Sequence, residues 1–192
     1  MANVDDILTF WFGRPSEPGY TEPRGLWFEQ NPAFDAECAH RFLATQEKAA
    51  AGELKAWRDE PRGALALLLL LDQFPRNLFR DSARAYATDA QAREVARHAL
   101  ARGLDVPLPP VWRWFFYLPF EHSEDLYDQR LAVSLFEALV PQHPASAEAL
   151  EYARRHHDII VRFGRFPHRN ARLGRESTPE EVAFLQEPNS SF

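Results

Sequence analysis

Apolar positions along this chain recur at helical spacing, and nowhere does a sustained two-residue alternation appear, so the pattern predicts helices without strands. Residues 4–12 read as a first helix with Ile7, Phe10 and Trp11 on its apolar face and Gly13 at its end. The proline- and glycine-rich stretch 14–24 reads as a loop. Asn31 and Pro32 then open a long helix to about Ala51, with asparagine as cap and proline in the first turn, and Gly52 stops it. Residues 54–59 add a short helical turn carrying Trp57. The segment 61–74 is apolar on nearly every side, the mark of a central helix.

The second half continues in the same way. Thr88 and Gln91 have the spacing of a capping box and open a helix that Gly103 stops. Prolines 107, 109 and 110 break the chain before a short aromatic helix over 111–118, which Pro119 is expected to end. A helix follows from Glu124 to about Val140, and residues 141–144 make a tight connection to the next one. There Ala149, Ala153, His156, Ile160 and Phe163 form one apolar stripe, which places His156 on the buried side and Asp158 and Arg162 on a more exposed one. Gly164 sits where a left-handed cap would end that helix. Residues 165–170 form a turn around Pro167, and Thr178-Pro179-Glu180-Glu181 is a second capping box that predicts a short last helix over 179–186. The expectation is an all-α fold of roughly seven to nine antiparallel helices joined by short links. One domain is expected over residues 1–192. Phe74-Pro75-Arg76-Asn77 and Phe166-Pro167-His168-Arg169-Asn170 echo one another, each after an apolar helix.

Charge and composition narrow the classes. A net charge of −6 argues against general nucleic-acid binding, where neutralising phosphates dominates affinity. The single cysteine, Cys38, excludes an intramolecular disulfide framework and fits a reducing compartment. The first ten residues carry acids where a signal peptide needs bases, and the longest apolar run, 64–71, is too short to span a bilayer. The expectation is a soluble, cytoplasmic protein with no membrane association. Twenty arginines stand against two lysines, and seven of those arginines fall between Arg154 and Arg175 with one carboxylate, Asp158, among them.

Three segments put polar side chains at the ends of buried helices. The first holds Asp72, Gln73, Arg76 and Asn77, and the second Glu121, His122 and Glu124. The third holds His156, Arg162, Arg165, His168, Arg169 and Asn170. If these ends meet, they form a cleft in which arginine forks take a carboxylate or phosphate and histidine carries protons near neutral pH. In that reading His122 is the proton carrier flanked by Glu121 and Glu124, and the first and third groups bind the ligand. Each group also has a purely structural reading as an ion pair or a clamp on buried loop carbonyls. No metal site is expected: His-Glu-x-x-His is absent, and His122-x-Glu124 lacks the cysteine pair that a zinc deaminase requires. No glycine-rich phosphate loop, dinucleotide fingerprint or nucleophile elbow occurs, so no cofactor is expected.

Several ordered motifs resemble a known family. Trp11-Phe12-Gly13, Leu71-Asp72-Gln73-Phe74-Pro75-Arg76-Asn77, Phe116-Tyr117-Leu118-Pro119-Phe120-Glu121-His122-Ser123-Glu124 and Arg162-Phe163-Gly164-Arg165-Phe166-Pro167-His168-Arg169-Asn170, with Leu173-Gly174-Arg175, are similar to those of domain-of-unknown-function family 924. His156 matches that family's helix histidine, whereas His157 departs from its pattern. The resemblance implies a TPR-like array of helices and supplies no activity and no catalytic residue. The functional expectation is therefore a protein that binds a small anionic ligand, with or without transforming it, in a polar cleft at helix ends. The alternative is a TPR-like module that binds a protein or peptide along helix faces without catalysis.

Overall fold

The computed structural model describes residues 2–188, 190 and 191, and among them the regular structure is helical with no strand. Helix α1 (Val4–Phe12) starts where Asn3 and Asp6 cap one another, each side chain accepting the other's amide at 2.9 Å. Helix α2 (Pro32–Ala50) starts where the Asn31 side chain accepts from the amides of Ala33 and Phe34. Both starts follow from local chemistry, because a short polar side chain satisfies amides that have no partner inside the helix.

The centre of the fold is a continuous helical rod with a distortion in it. Helix α3 (Pro61–Leu68) runs through a π-helical turn, Leu69–Gln73, into α4 (Phe74–Leu78). This rod extends past the expected end at Phe74 because Pro75 does not stop the chain here. Proline has no N–H, so the Leu71 carbonyl four residues earlier loses its helical donor. The helix widens, the Phe74 amide reaches back to the Leu69 carbonyl, and the Thr88 hydroxyl donates to the Leu71 carbonyl at 2.5 Å. Arg76 closes the gap by donating to the Asp72 carbonyl at 2.5 Å. Thr88 does precede α5 (Asp89–Ala101), but it makes no side-chain cap, and Gln91 donates instead to the Ala50 carbonyl. The expected capping box is thus replaced by a long-range bond that repairs the damage done by Pro75.

A second proline is also absorbed. Helix α6 (Pro110–Glu121) passes through Pro119 rather than ending at Leu118. Trp112, Trp114, Phe115, Phe116, Tyr117 and Phe120 are all buried on it. Each contributes about 1.5–3 kcal/mol by burial, which outweighs the roughly 3 kcal/mol cost of one interior proline. His122 is consequently the C-terminal cap of α6 and not a loop residue at the start of the next helix. Asp125, rather than Glu124, caps α7 (Leu126–Leu139) through the amides of Tyr127 and Asp128. Helix α8 (Ser146–Phe163) ends at Gly164 in the left-handed conformation expected for it, with φ 69°. Helix α9 (Pro179–Phe184) opens with the complete Thr178–Glu181 capping box.

Helix α7 packs against both α6 and α8, which also touch each other. Trp114 Nε1 donates to Ser146 Oγ at 2.8 Å, and Glu121 meets His156 at 3.1 Å. Early residues of α6 therefore face early residues of α8, so these two helices run parallel with α7 antiparallel to them. The main core gathers Trp11, Phe12, Trp27, Phe74, Trp112 and Phe115 in stacked and edge-to-face pairs, while Ile159, Ile160, Phe166 and Phe184 form a smaller cluster. At Gly63 a Cβ would lie 2.4 Å from the Trp57 carbonyl oxygen, so only glycine lets α3 approach the turn before it. Among the described residues no helix is long and apolar enough to cross a membrane.

Thr88→Val keeps the shape and removes the donor to a buried carbonyl. It is expected to lower stability by about 1–3 kcal/mol, the cost of leaving such a group unsatisfied. Urea midpoints of the two proteins measure this, and an unchanged midpoint would contradict the role given to Thr88.

Candidate functional site

The distorted rod delivers its polar end to a cleft of about 750 Å³. Gln73, Arg76 and Asn77 line it from the π-helical turn and α4, and Glu121 and His122 from the end of α6. His156 lines it from α8, and His168 and Arg169 from the turn that follows. Three segments far apart in sequence are thereby brought to one wall.

Asp72 lies just behind that wall, 1% exposed. Its carboxylate accepts from Gln73 Nε2 at 2.5 Å and from His122 Nδ1 at 2.8 Å, and Arg76 Nη1 is 3.4 Å away. Burial opposes ionisation of Asp72, but His122, Arg76 and Gln73 together outweigh it and hold the carboxyl below its usual range. For His122, burial and the charge of Arg76 push its pKa below the ordinary value, against the pull of Asp72. An ionised carboxylate only accepts, so the contact requires the proton on Nδ1 of a neutral ring, and Nε2 carries a lone pair.

The neighbouring carboxyl behaves in the opposite way. Glu121 is 3% exposed, and burial, reinforced by the charge of Asp72, pushes its pKa up to about 8. Its Oε1 lies 3.1 Å from His156 Nδ1, whereas Oε2 is buried with no hydrogen-bond partner among the described residues. His156 Nδ1 is 2.9 Å from the Tyr152 carbonyl, and burial keeps that ring neutral. Near neutral pH, Glu121 is therefore a buried, uncharged carboxylic acid. Asp72 and Glu121 show how environment assigns opposite states to two carboxyls in one site.

The arginines form a chain behind and around this pair. Arg76 grips Asp89 through both nitrogens at 3.0 and 3.2 Å, and Arg169 lies 3.6 Å from the same carboxylate. Arg169 also donates to the His122 carbonyl at 3.0 Å and lies over the rings of Tyr86 and Phe166. Burial and Arg76 draw its pKa down to about 10, so it stays charged at neutral pH, and its buried Nε has no partner among the described residues. Arg76 and Arg169 line the cleft, while Asp72 and Asp89 do not. Arg76 and Arg169 thus present donors to the cleft with Asp72 and Asp89 set behind them, and Glu29, Asp81 and Glu148 line other parts of it. His168, on the same wall, is held to about 3 by burial and by Arg169.

Asp72, expected among the ligand contacts, is sealed behind the wall by its partners, and four more of the expected site residues are placed elsewhere. Glu124 accepts both nitrogens of Arg175 at 2.7 and 2.9 Å and the Phe166 amide at 2.8 Å. Arg165 holds Glu181 at 2.6 and 2.7 Å, and Asn170 donates to the same carboxylate at 3.3 Å. Arg162 pairs with exposed Glu180 at 3.0 Å. None of these four lines the cleft. Together they tie the turn after α8 to α9 and to the start of α7. Asn77 lines the cleft but donates to Asp35 at 2.8 Å, and Arg80 pairs with that same Asp35.

Sequence reasoning missed the aromatic side of the cleft, built by Trp27, Tyr86, Trp114 and Tyr152, and missed Asp89 as the carboxylate joining two arginines. Helical phase held part of that signal. Trp114, Leu118, Glu121 and His122 lie on one face of α6, and Tyr152 lies one turn before His156 on α8. Among the described residues no group of three or more His, Cys, Asp or Glu side chains is arranged to hold a metal ion.

Comparison with known proteins adds a family. The model of a family described as bacterial protein of unknown function (DUF924) matches residues 7–189. A solved structure of a protein of unknown function from Agrobacterium tumefaciens is 43% identical, with a TM-score of 0.82 over 95% of this chain and 96% of that one. No curated protein matches. The chain belongs to the DUF924 family.

The raised pKa of Glu121 has a consequence for stability. The native carboxyl keeps its proton up to about 8, whereas the unfolded one loses it near 4.5, so stability contributed at this position falls as pH rises between those values. Glu121→Gln removes that dependence. Its stability relative to the parent should therefore grow between about pH 5 and about pH 8 and level off above, as read from denaturant midpoints. A constant difference across that range would contradict a protonated Glu121.

Proposed function

We propose that this DUF924 protein binds a small organic anion carrying an apolar body in the cleft between α4, α6 and α8. The observation that carries the reading is the separation of donors from acceptors: Arg76 and Arg169 line the cleft while their carboxylate partners lie behind it. Planar guanidinium groups held in place by such partners are pre-organised for an incoming carboxylate or phosphate. Trp27, Trp114 and Tyr152, which also line the cleft, supply an apolar surface, the usual make-up of a small-molecule pocket. His122 sits between the two regions and is the proton carrier if the ligand is transformed.

A second reading, a TPR-like module for a peptide, is favoured by one feature. The faces of parallel α6 and α8, and not only helix ends, line the apolar part of the cleft. The small-anion reading is preferred because Arg76, His122 and Arg169, from three separate segments, are joined to one another through shared contacts beside the cleft. A cytoplasmic location is proposed on the lone Cys38, which is fully buried with its thiol pushed up to about 12 by burial and Asp35. The net charge of −6 supports the absence of general nucleic-acid binding.

Phenylacetate and benzoate, titrated at constant ionic strength, are expected to raise the melting temperature and to change tryptophan fluorescence through Trp27 and Trp114. Arg169→Lys, which keeps the charge and loses the fork, should weaken that response by about tenfold or more, equivalent to about 1.4 kcal/mol. Flat responses to both compounds in the parent protein would overturn the anion reading.

A further inference from the structure

We propose that the cleft enolises 2-oxo acids bearing an apolar side chain, with His122 taking a proton from the carbon beside the keto group and Glu121 giving one to the keto oxygen. The proposal rests on the anion reading above and names its substrate class.

Four placements lead to it. First, His122 is fixed by a buried carboxylate at 2.8 Å from Nδ1, the arrangement that sets the tautomer and leaves Nε2 as a base in known acid–base sites. Gln73 and Arg76 hold that carboxylate in turn, which makes Asp72 a positioning residue. Second, the adjacent Glu121 is buried and contributes to the lining of the same cleft. A carboxyl in that environment keeps its proton and can donate it, the role complementary to the base.

Third, the groups lie within the span of one small molecule. The rings of His122 and His156 are 6.2 Å apart, Glu121 Oε1 is 3.1 Å from His156 Nδ1, and Arg76 touches the carboxylate that holds His122. A carboxylate at the arginines, a keto oxygen at Glu121 and an acidic C–H at His122 make up three successive carbons of a 2-oxo acid. Fourth, an apolar lane leads away from this polar end. Leu118 and Trp114 precede His122 on α6, and Tyr152 and Ala149 precede His156 on parallel α8, with Glu148 lining the far end of the lane. At 1.5 Å per residue the lane extends about 6–12 Å, enough for a phenyl or branched alkyl group.

The step balances without a co-reactant. The C–H bond at C3 breaks, and its proton goes to His122 Nε2. The freed electron pair forms C2=C3, the π pair of C2=O moves to oxygen, and that oxygen takes the proton of Glu121. The His122 imidazolium exchanges its proton with solvent, and in the reverse reaction Glu121 takes back the enol proton while His122 gives one to C3, which restores the keto form and both starting protonation states. In D2O each cycle delivers deuterium to C3.

The test uses the intact protein with phenylpyruvate in D2O, following loss of the C3 proton signals by ¹H NMR while tryptophan fluorescence reports binding in the same samples. Exchange above the buffer rate is expected, falling by about 10²-fold or more in His122→Gln and in Glu121→Gln. Arg162→Ala, whose side chain pairs with Glu180 outside the cleft, should exchange at the parent rate. Circular dichroism and retained phenylacetate binding establish that each variant is folded. Binding of phenylpyruvate with exchange at the buffer rate overturns the enolisation and leaves the anion reading standing. Exchange undiminished in folded His122→Gln also overturns the enolisation. Absence of any phenylpyruvate or phenylacetate binding overturns the anion reading itself.

Discussion

The carboxylate of Asp72 is the charge around which the surrounding structure is arranged. An ionised carboxylate taken out of water costs several kcal/mol unless neighbours replace its hydration. Here Gln73, His122 and Arg76 replace it, and each of those partners is itself held. Arg76 is shared with Asp89, Asp89 lies near Arg169, and Arg169 donates to the carbonyl of His122. The result is a closed circuit through α4, α5, the end of α6 and the turn after α8. Removing one member leaves a buried charge without its partner, so the circuit links the stability of four segments to the chemistry of the cleft.

That circuit depends on a defect. Pro75 denies the Leu71 carbonyl its helical donor, the rod widens into a π-helical turn, and Asp72 and Gln73 are carried on the widened turn toward α6. Such bulges often occur at functional sites because they redirect side chains that a regular helix would point elsewhere. The long-range bond from Thr88 repairs the exposed carbonyl, and it also anchors the start of α5, from which Asp89 reaches Arg76. A second set of ion pairs works differently. Arg175 with Glu124, and Arg165 with Glu181, bind loop amides and carbonyls and fix the chain between α8 and α9 without reaching the cleft.

Local chemistry was readable in the sequence where partners lie within one helical turn. The Asn31 cap, the left-handed Gly164 and the Thr178–Glu181 box all appear where their spacing put them. Thr88 had the same local pattern and failed, because a carbonyl 17 residues away competes for its hydroxyl. Pro119 was read as a stop, yet the buried aromatic faces of α6 carry the helix through it. Most of the cleft was visible as three polar helix ends: Gln73, Arg76, Asn77, Glu121, His122, His156, His168 and Arg169 do line one space. Arginine density could not separate Arg169 from Arg162 and Arg165, since the partners Glu180 and Glu181 lie beyond a turn whose path depends on tertiary packing. Asp89 escaped for the same reason: its two arginine partners come from other segments.

The central claim is that Asp72 is ionised and orients a neutral His122 with its proton on Nδ1. Ring ¹⁵N NMR of protein labelled at histidine, with His122 assigned by comparison with His122→Gln, measures this directly. The account predicts a neutral Nδ1–H ring at pH 7, becoming cationic only below the ordinary histidine range, since burial and Arg76 oppose the charge (pH about neutral). An imidazolium at that pH, or a neutral ring protonated on Nε2, would contradict it.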